Sequence, residues 1–421
     1  MRKGADKPRV AFVVPCYGLD LAGGAEGHCR QVAEHLAERC DVTVLTTCAT
    51  DKLSWRNSLP AGVTFLKGVR VLRFATAGER QLLQFHAIHD RIFTTQLPPE
   101  QEFESIRRQG PDCPQLIEHL KQRHAEYDAF VLFALVSYPV IHALSVIGEK
   151  ALLVPSLEGE SSLYLHILDG VIRHARHVFY NTEEERLLLQ RRFVLPHGLG
   201  KVVGIGIDPP VETEPDPLWA QWAERLEGRL ILSYLGKVEA GSGCDDLTEY
   251  FLRYIRQQQR DDLRLLLLGS RNMPLPPHPS ILAPGRVGEY AKDDALRRTT
   301  IAVSPSPHGS RCLATLESWM HGKPVLANAR CRVLVGHCLR SNGGLWYEDY
   351  AEFRECLNLL LSDPDLREKI GVQGRAYVQR GYRWDYVAAA YAGALNAIIN
   401  GTGDTKDTES CLAPPSSVSP N

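Results

Sequence analysis

Three short segments of this sequence bring together glycine, a charged side chain and the start of a helix, which are the ingredients for holding an oxyanion. The most informative begins Ser304-Pro-Ser-Pro-His-Gly-Ser-Arg-Cys-Leu-Ala-Thr-Leu and continues Glu317-Ser-Trp-Met-His-Gly-Lys-Pro-Val-Leu326. A strand ending at Pro305, a loop, and a helix starting near Cys312 would present unpaired N–H groups suited to phosphate. Glu317, one to two turns into that helix, is placed to accept from two vicinal hydroxyls such as a ribose diol. Its alternative role is a helix-surface carboxylate paired with a nearby base. A second segment, Gly236-Lys-Val-Glu-Ala-Gly-Ser-Gly243, follows an apolar run that reads as a buried strand. A lysine at a strand's carboxyl end beside a glycine loop can meet a diphosphate as a point charge, or can simply solvate the surface. The third, Gly23-Gly-Ala-Glu26, lets the backbone approach a sugar or phosphate oxygen at a helix start; a tight turn without ligand is the plainer alternative.

The elements that must position these segments alternate strand and helix. Arg9–Pro15 is a β-rich run, Cys29, Val32, Ala33, Leu36 and Ala37 recur at helical spacing, and 41–46 reads as another buried strand. The same alternation continues through expected strands at 69–74, 129–135, 150–155 and 177–180. Thr182, followed by three glutamates, reads as the cap of a helix. At residues 207–217 the composition turns to proline and acid, which marks a linker. A second series comes after it, with strands at 230–235, 263–269, 285–287, 301–305 and 324–327 and helices at 245–257, 291–298, 313–321, 350–362 and 364–380. The expected division is 1–206 with a returning helix at 385–400, then 207–384, then a polar, disordered tail at 401–421. Two βα-repeating halves would place a ligand cleft at the carboxyl ends of their sheets.

Bulk properties narrow the function. The chain has 421 residues, 44% of them hydrophobic, and a formal net charge of -2, so no broad positive field points to nucleic acid. Its 11 cysteines contain no Cys-x-x-Cys pair and read as reduced thiols in a cytoplasmic protein. The apolar stretch 130–147 is interrupted by Ser137, Pro139, His142 and Ser145, which argues against a membrane span. The segment 163–177, apolar with a basic end, reads as a core helix; peripheral contact with the inner face of a membrane is its alternative. The pairs His86/His89 and His174/His177 lack an acidic partner for a metal, and Asp245-Asp246 opens a helix, where capping suffices. Neither a Gly-x-Gly-x-x-Gly fingerprint nor a Walker loop is present, so a dehydrogenase or P-loop reading loses ground.

Taken in order, these segments resemble the retaining GT-B glycosyltransferases of the "glycosyl transferases group 1" type. The likeness rests on Glu317-Ser-Trp-Met-His-Gly-Lys-Pro-Val, on Gly-Gly-Ala-Glu26, on Gly236-Lys237, on Gly285-Arg-Val-Gly-Glu289 and on Arg383-Trp-Asp385, and it spans about residues 9–400. It implies an α/β fold of two Rossmann-like domains facing across a cleft, with a C-terminal helix crossing back to the first. It implies a nucleoside-diphosphate sugar on the C-terminal domain: base near Arg286 and Val287, ribose on Glu317, phosphates on Gly236, Lys237 and the helix start at Leu313 and Ala314. A saccharide or lipid-linked acceptor would meet Gly23, Gly24 and Glu26, with Lys237 and Glu158 as the catalytic pair and neither metal nor other cofactor. Three positions depart from the pattern: Gly309 where the family has its first glutamate, Ser242 where it has a lysine, and Glu158 where it has a histidine. Those departures keep two alternatives open, a catalytically inactive GT-B protein that binds a sugar or partner enzyme, and a nucleotide-sugar epimerase.

Overall fold

The structure is a computed structural model that describes residues 7–19, 24–157, 161–196, 198–211, 216–309 and 312–401. Gly23, Glu158 and the tail beyond Gly401 lie outside the described residues. The chain forms two compact units. One holds the described residues up to Ile205 together with those from Trp384 to Gly401; the other holds the described residues of Gly206–Arg383.

The first unit is built on β1 (Arg9–Val13), α1 (Gly24–Leu36), β2 (Asp41–Thr47), β3 (Gly62–Leu66), β4 (Val69–Phe74), α2 (Leu82–His89), α3 (Pro99–Gln109) and α4 (Pro114–Arg123). It continues with β5 (Ala129–Phe133), α5 (Tyr138–Ile147), β6 (Ala151–Val154), α6 (Ile167–Val171), β7 (His177–Tyr180), α7 (Glu183–Arg192) and β8 (Gly200–Val202). The strand order is β3-β4-β2-β1-β5-β6-β7-β8, parallel except for β3 against β4. β1 lies between β2 and β5 with every residue from Val10 to Val13 buried, as a strand covered on both faces requires. The apolar stretch at 130–147 is two elements. Ala134 adopts φ 73°, Ser137 Oγ donates to the Ala134 carbonyl at 2.8 Å, and α5 starts beyond that turn with Pro139 in its first turn. Among the described residues no helix is long and apolar enough to cross a membrane.

The second unit runs α8 (Ala223–Leu226), β9 (Leu230–Leu235), α9 (Cys244–Gln257), β10 (Leu263–Leu268), β11 (Ile281–Gly285), α10 (Glu289–Arg298), β12 (Ile301–Ser304), α11 (Leu313–Met320), β13 (Val325–Asn328), α12 (Arg332–Ser341), β14 (Gly344–Tyr347), α13 (Tyr350–Ser362) and α14 (Pro364–Gly381). Its sheet is wholly parallel in the order β11-β10-β9-β12-β13-β14. Leu263, Leu265, Leu267 and Phe251 fill the core on one face, while Ile231, Leu266, Leu268 and Trp219 do so on the other. Asp349 and Asp363 cap α13 and α14 by accepting from Glu352 N and Leu366 N, at 3.0 and 2.9 Å.

α15 (Trp384–Asn400) belongs to the first unit, where Tyr391 is fully buried and meets His28 of α1 and Phe179 of β7 edge-on. Several sequence expectations need correction. The strand expected at 285–287 ends at Gly285, where the loop into α10 begins. β3, β14, α3, α5 and α12 have no counterpart among the expected elements. The cap of α9 is Gly243 in the left-handed region, not Asp245 or Asp246.

Candidate functional site

Strand order decides where a ligand site falls in the second unit. β9 lies between β10 and β12, and the chain leaves β9 toward β10 but leaves β12 toward β13, in opposite directions. In an open parallel sheet the loops flanking such a reversal diverge at the carboxyl ends of the strands and leave a crevice. Those loops are residues 236–243, after β9, and 305–312, after β12.

The first loop is held by its own backbone. Tyr234 O–H donates to the Lys237 carbonyl at 2.9 Å, which fixes that peptide while the Lys237 side chain stays exposed. Among the described residues Lys237 has no carboxylate partner, so its charge is available to a ligand. Gly243 (φ 71°) starts α9, and a Cβ there would run into the Pro305 carbonyl, so the two loops touch backbone to backbone. Gly269, after β10, presses on the Gly236 carbonyl in the same way and donates to the Gly285 carbonyl at 3.0 Å. The carboxyl ends of β9, β10 and β11 are thereby joined into one rim.

The second loop ends in a helix start. Ser304 and Thr315 share a hydroxyl hydrogen bond of 2.8 Å, and the Asn328 amide donates to the Pro305 carbonyl at 2.8 Å. Cys312 is the N-cap of α11 with φ 52° and ψ 41°, and no side chain caps the helix. Its carbonyl accepts from Thr315 N and Leu316 N, whereas no described residue accepts from the N–H groups of Leu313 and Ala314. N–H groups that no described residue occupies, at the positive end of a helix, suit an anion.

Glu317 lies on the half-buried face of α11, its side chain 28% exposed, and pairs with Lys292 of α10 at 2.8 Å. The same lysine holds Glu289 at 2.7 Å. Burial works against the charge on Lys292, but Glu317 and Glu289 outweigh it and push its pKa above the ordinary lysine value. The basic partner set out as the plainer role of Glu317 therefore exists, and it takes one carboxylate oxygen, Oε1. His321 extends the tie, with its Nε2 at 2.7 Å from Asp293 of α10. Arg286 is exposed on the loop after β11, and Val287 packs half-buried against the cluster of Ile231 and Leu268. Ser242 Oγ donates to Glu239 Oε1 at 3.5 Å, and a Cβ on Gly309 would make ordinary contacts with the sulfurs of Cys312 and Cys331. Lys237, Glu317 and the start of α11 thus stand on the loops and helix of two adjacent strands.

In the first unit Gly24 (φ 65°) opens α1. Glu26 is 3% exposed and pairs with Lys52 at 2.7 Å, so α1 offers backbone rather than that carboxylate to its surroundings. Thr182 caps α7 as expected, accepting from Glu185 N at 3.1 Å. Glu185 does more than favour the helix dipole. Its buried carboxylate accepts from Leu157 N at 2.7 Å and from Asn181 N at 2.6 Å, and so anchors the backbone that leads to Glu158. The single core helix expected at 163–177 is instead a series of short helical turns around Ile167–Val171, with Leu163, Leu165, Leu168 and Ile172 fully buried and Tyr164, His166, Arg173 and His174 exposed. His89 is hydrogen-bonded through Nε2 to Ser161, and no group of metal-ligand side chains occurs among the described residues.

A shallow groove of about 460 Å³ runs along α9, lined by Asp245, Thr248, Glu249, Arg253 and Met273 among others; it includes none of the expected site residues.

No family model matches the sequence, and no curated protein does. Solved structures do match. The chain is similar to a sucrose-phosphate synthase from Thermosynechococcus elongatus (18% identity, TM-score 0.66, 94% of this chain and 100% of that one). It is also similar to Anabaena HepE, solved in complex with UDP and glucose (14%, 0.64, 93% and 100%), and to the trehalose-6-phosphate synthase OtsA (10%, 0.67, 92% and 99%).

The fold is GT-B. At such identities the likeness speaks for the fold, and the chemistry has to be argued from the site. The loop at residues 236–243, the loop after β11 and the start of α11 bring an exposed Lys237, an exposed Arg286 and a helix N-terminus to the carboxyl ends of the sheet of the second unit.

Proposed function

We propose that this protein is a retaining glycosyltransferase that moves a sugar from a nucleoside-diphosphate sugar to a saccharide or lipid-linked acceptor. The observation that carries the reading is the strand-order reversal at β9, where an exposed Lys237 and the open N–H groups of Leu313 and Ala314 follow two adjacent strands. A departing diphosphate develops negative charge, and a preformed ammonium group and helix start stabilise it without reorganising. The donor's ribose lies on Glu317, whose second carboxylate oxygen remains for the diol while Lys292 holds the first. Arg286 and the backbone at Val287 take the base. The acceptor is the share of the first unit, near Gly24. Neither a metal nor another cofactor has a role in this scheme, because helix end and lysine carry the leaving-group charge. The HepE structure containing UDP and glucose supports the choice of donor class.

Incubation with uridine, guanosine and thymidine diphosphate sugars and a panel of saccharide and lipid-linked acceptors tests the reading. The expected result is a glycoside that keeps the anomeric configuration of the donor. The absence of both nucleotide binding and product across the panel would overturn it. Ser242 and Gly309 favour a second reading, a GT-B protein that binds a nucleotide sugar without turnover, because Ser242 carries no charge for the diphosphate and Gly309 has no side chain to accept from a sugar hydroxyl. Calorimetric binding without product selects that reading, and product formed without acceptor would select an epimerase.

A further inference from the structure

The starts of α11 and α12 carry a feature that sugar transfer does not use. Cys312 is the N-cap of α11, Cys331 is the N-cap of α12, and the two helices follow the adjacent strands β12 and β13. Both residues are thiols in this structure. Their sulfurs lie 3.5 and 3.6 Å from the point a Cβ on Gly309 would occupy, which bounds their separation at about 7 Å. The Cys331 Sγ is also 3.8 Å from the Gly309 carbonyl. A disulfide needs the sulfurs about 2 Å apart, and Gly309, which both sulfurs approach, has no side chain in the way.

We propose that Cys312 and Cys331 are a reversible redox pair whose disulfide ties the start of α11 to the start of α12 and closes the anion seat at Leu313 and Ala314. The consequence for nucleotide rests on the donor reading given above; the disulfide itself does not. Cys312 is half-buried and Cys331 only 3% exposed, so the oxidant reaches Cys312 first. With hydrogen peroxide the Cys312 sulfur attacks one peroxide oxygen, the O–O bond breaks, and Cys312 becomes a sulfenic acid as water is released. The Cys331 sulfur then attacks the Cys312 sulfur, the S–O bond breaks, and the hydroxyl leaves as water with the Cys331 proton. Two electrons pass from the sulfurs to the peroxide. Cys338, the nearby alternative, is a poor competitor, because burial and then Cys331 push its thiol up to about 12.

The position of the bond makes it consequential. Cys312 holds a left-handed conformation that a side chain other than glycine adopts at some cost, and its carbonyl accepts from Thr315 and Leu316. Drawing its sulfur toward Cys331 changes that conformation and the direction of the two open N–H groups beside it.

The test treats the full-length protein with hydrogen peroxide, alkylates remaining thiols and maps peptides by mass spectrometry without reduction. A Cys312–Cys331 linkage is expected, lost on dithiothreitol and absent from Cys331→Ser and Cys312→Ser. Amide hydrogen exchange at Leu313 and Ala314 should change on oxidation of the wild type and stay constant in Cys331→Ser. UDP binding, measured by calorimetry, should weaken at least tenfold on oxidation and recover with dithiothreitol, while Cys331→Ser, in which Cys312 stops at the sulfenic acid, should lose much less. No such linkage, or linkage with unchanged exchange at the start of α11, overturns the proposal. If linkage and altered exchange occur but UDP binds neither form, the redox pair stands and it is the donor reading that fails.

Discussion

Each unit has a lysine–glutamate pair on the helix or loop beside its strand-order reversal, and the two pairs are built in opposite senses. In the first unit the carboxylate of Glu26 is 3% exposed while Lys52 is 55% exposed. In the second, Glu317 and Lys292 are 28% and 25% exposed, and the lysine is shared with Glu289. A buried carboxylate answered by one exposed lysine is an anchor for the turn around it. A half-exposed carboxylate steadied by a lysine that itself has two partners keeps an oxygen for something else. On the proposed donor reading the same two residue types serve structure in one unit and recognition in the other, and burial of the carboxylate is what tells them apart.

The largest effect that would test this division is at Lys237, an exposed cation without a carboxylate partner among the described residues. Lys237→Ala should lower kcat by roughly a hundredfold or more, the cost of about 3 kcal/mol from losing one preorganised charge contact. The melting temperature should stay where it is, because an exposed side chain with no carboxylate partner contributes little to the fold. Unchanged turnover would remove Lys237 from the site.

Next in size is an asymmetry within the first unit. Lys52→Ala leaves the Glu26 carboxylate buried and unpaired and should destabilise by about 3 kcal/mol. Glu26→Gln leaves Lys52 to the solvent and should cost only about 1 kcal/mol. Urea unfolding of both variants checks this, and equal losses would show that Glu26 is not the anchor described. Neither change should alter the affinity for UDP.

In the second unit the expectation reverses. Glu317→Gln should weaken nucleotide binding about tenfold, near 1.4 kcal/mol for one charge-assisted hydrogen bond, with little change in unfolding. A large loss of stability with intact binding would make the two pairs alike and break the comparison.

Much of the scaffold was legible in the sequence, and for identifiable reasons. Fully buried parallel strands such as Val10–Val13 and Leu263–Leu268 read as short apolar runs, and helices such as α13 and α14 begin with aspartate caps. The elements that sequence did not disclose lack one of those signals. β3 is an edge strand that turns Val63 and Phe65 outward, so its apolar residues suggest no core, although the Lys67-Gly68 turn behind it is a hairpin signal. α12 hides the fully buried His337 among its apolar residues, and β14 is only four residues long. At the site, sequence found the glycine loops and Glu317, because strand, glycine and helix start succeed one another along the chain. It missed Lys292 and Glu185, whose importance comes from contacts made across 25 and 28 positions. No local pattern announces a partner that far away; only folding brings it near.

The smallest effect tests the residue that sequence missed. Lys292 touches no proposed part of the donor, so its contribution is to hold the Glu317 carboxylate in one orientation and to link it, through Glu289, to the loop after β11. Lys292→Met keeps the length and apolar stem of the side chain but removes both ion pairs, leaving Glu317 free to turn toward solvent. KM for the nucleotide sugar should rise about fivefold, near 1 kcal/mol, and kcat should hold, since the charge at the leaving diphosphate is untouched. Lys292→Arg, which can still reach both carboxylates, should restore most of the loss. A change confined to melting temperature, with KM unmoved, would mean that Lys292 braces α10 against α11 and has no say in how Glu317 is presented.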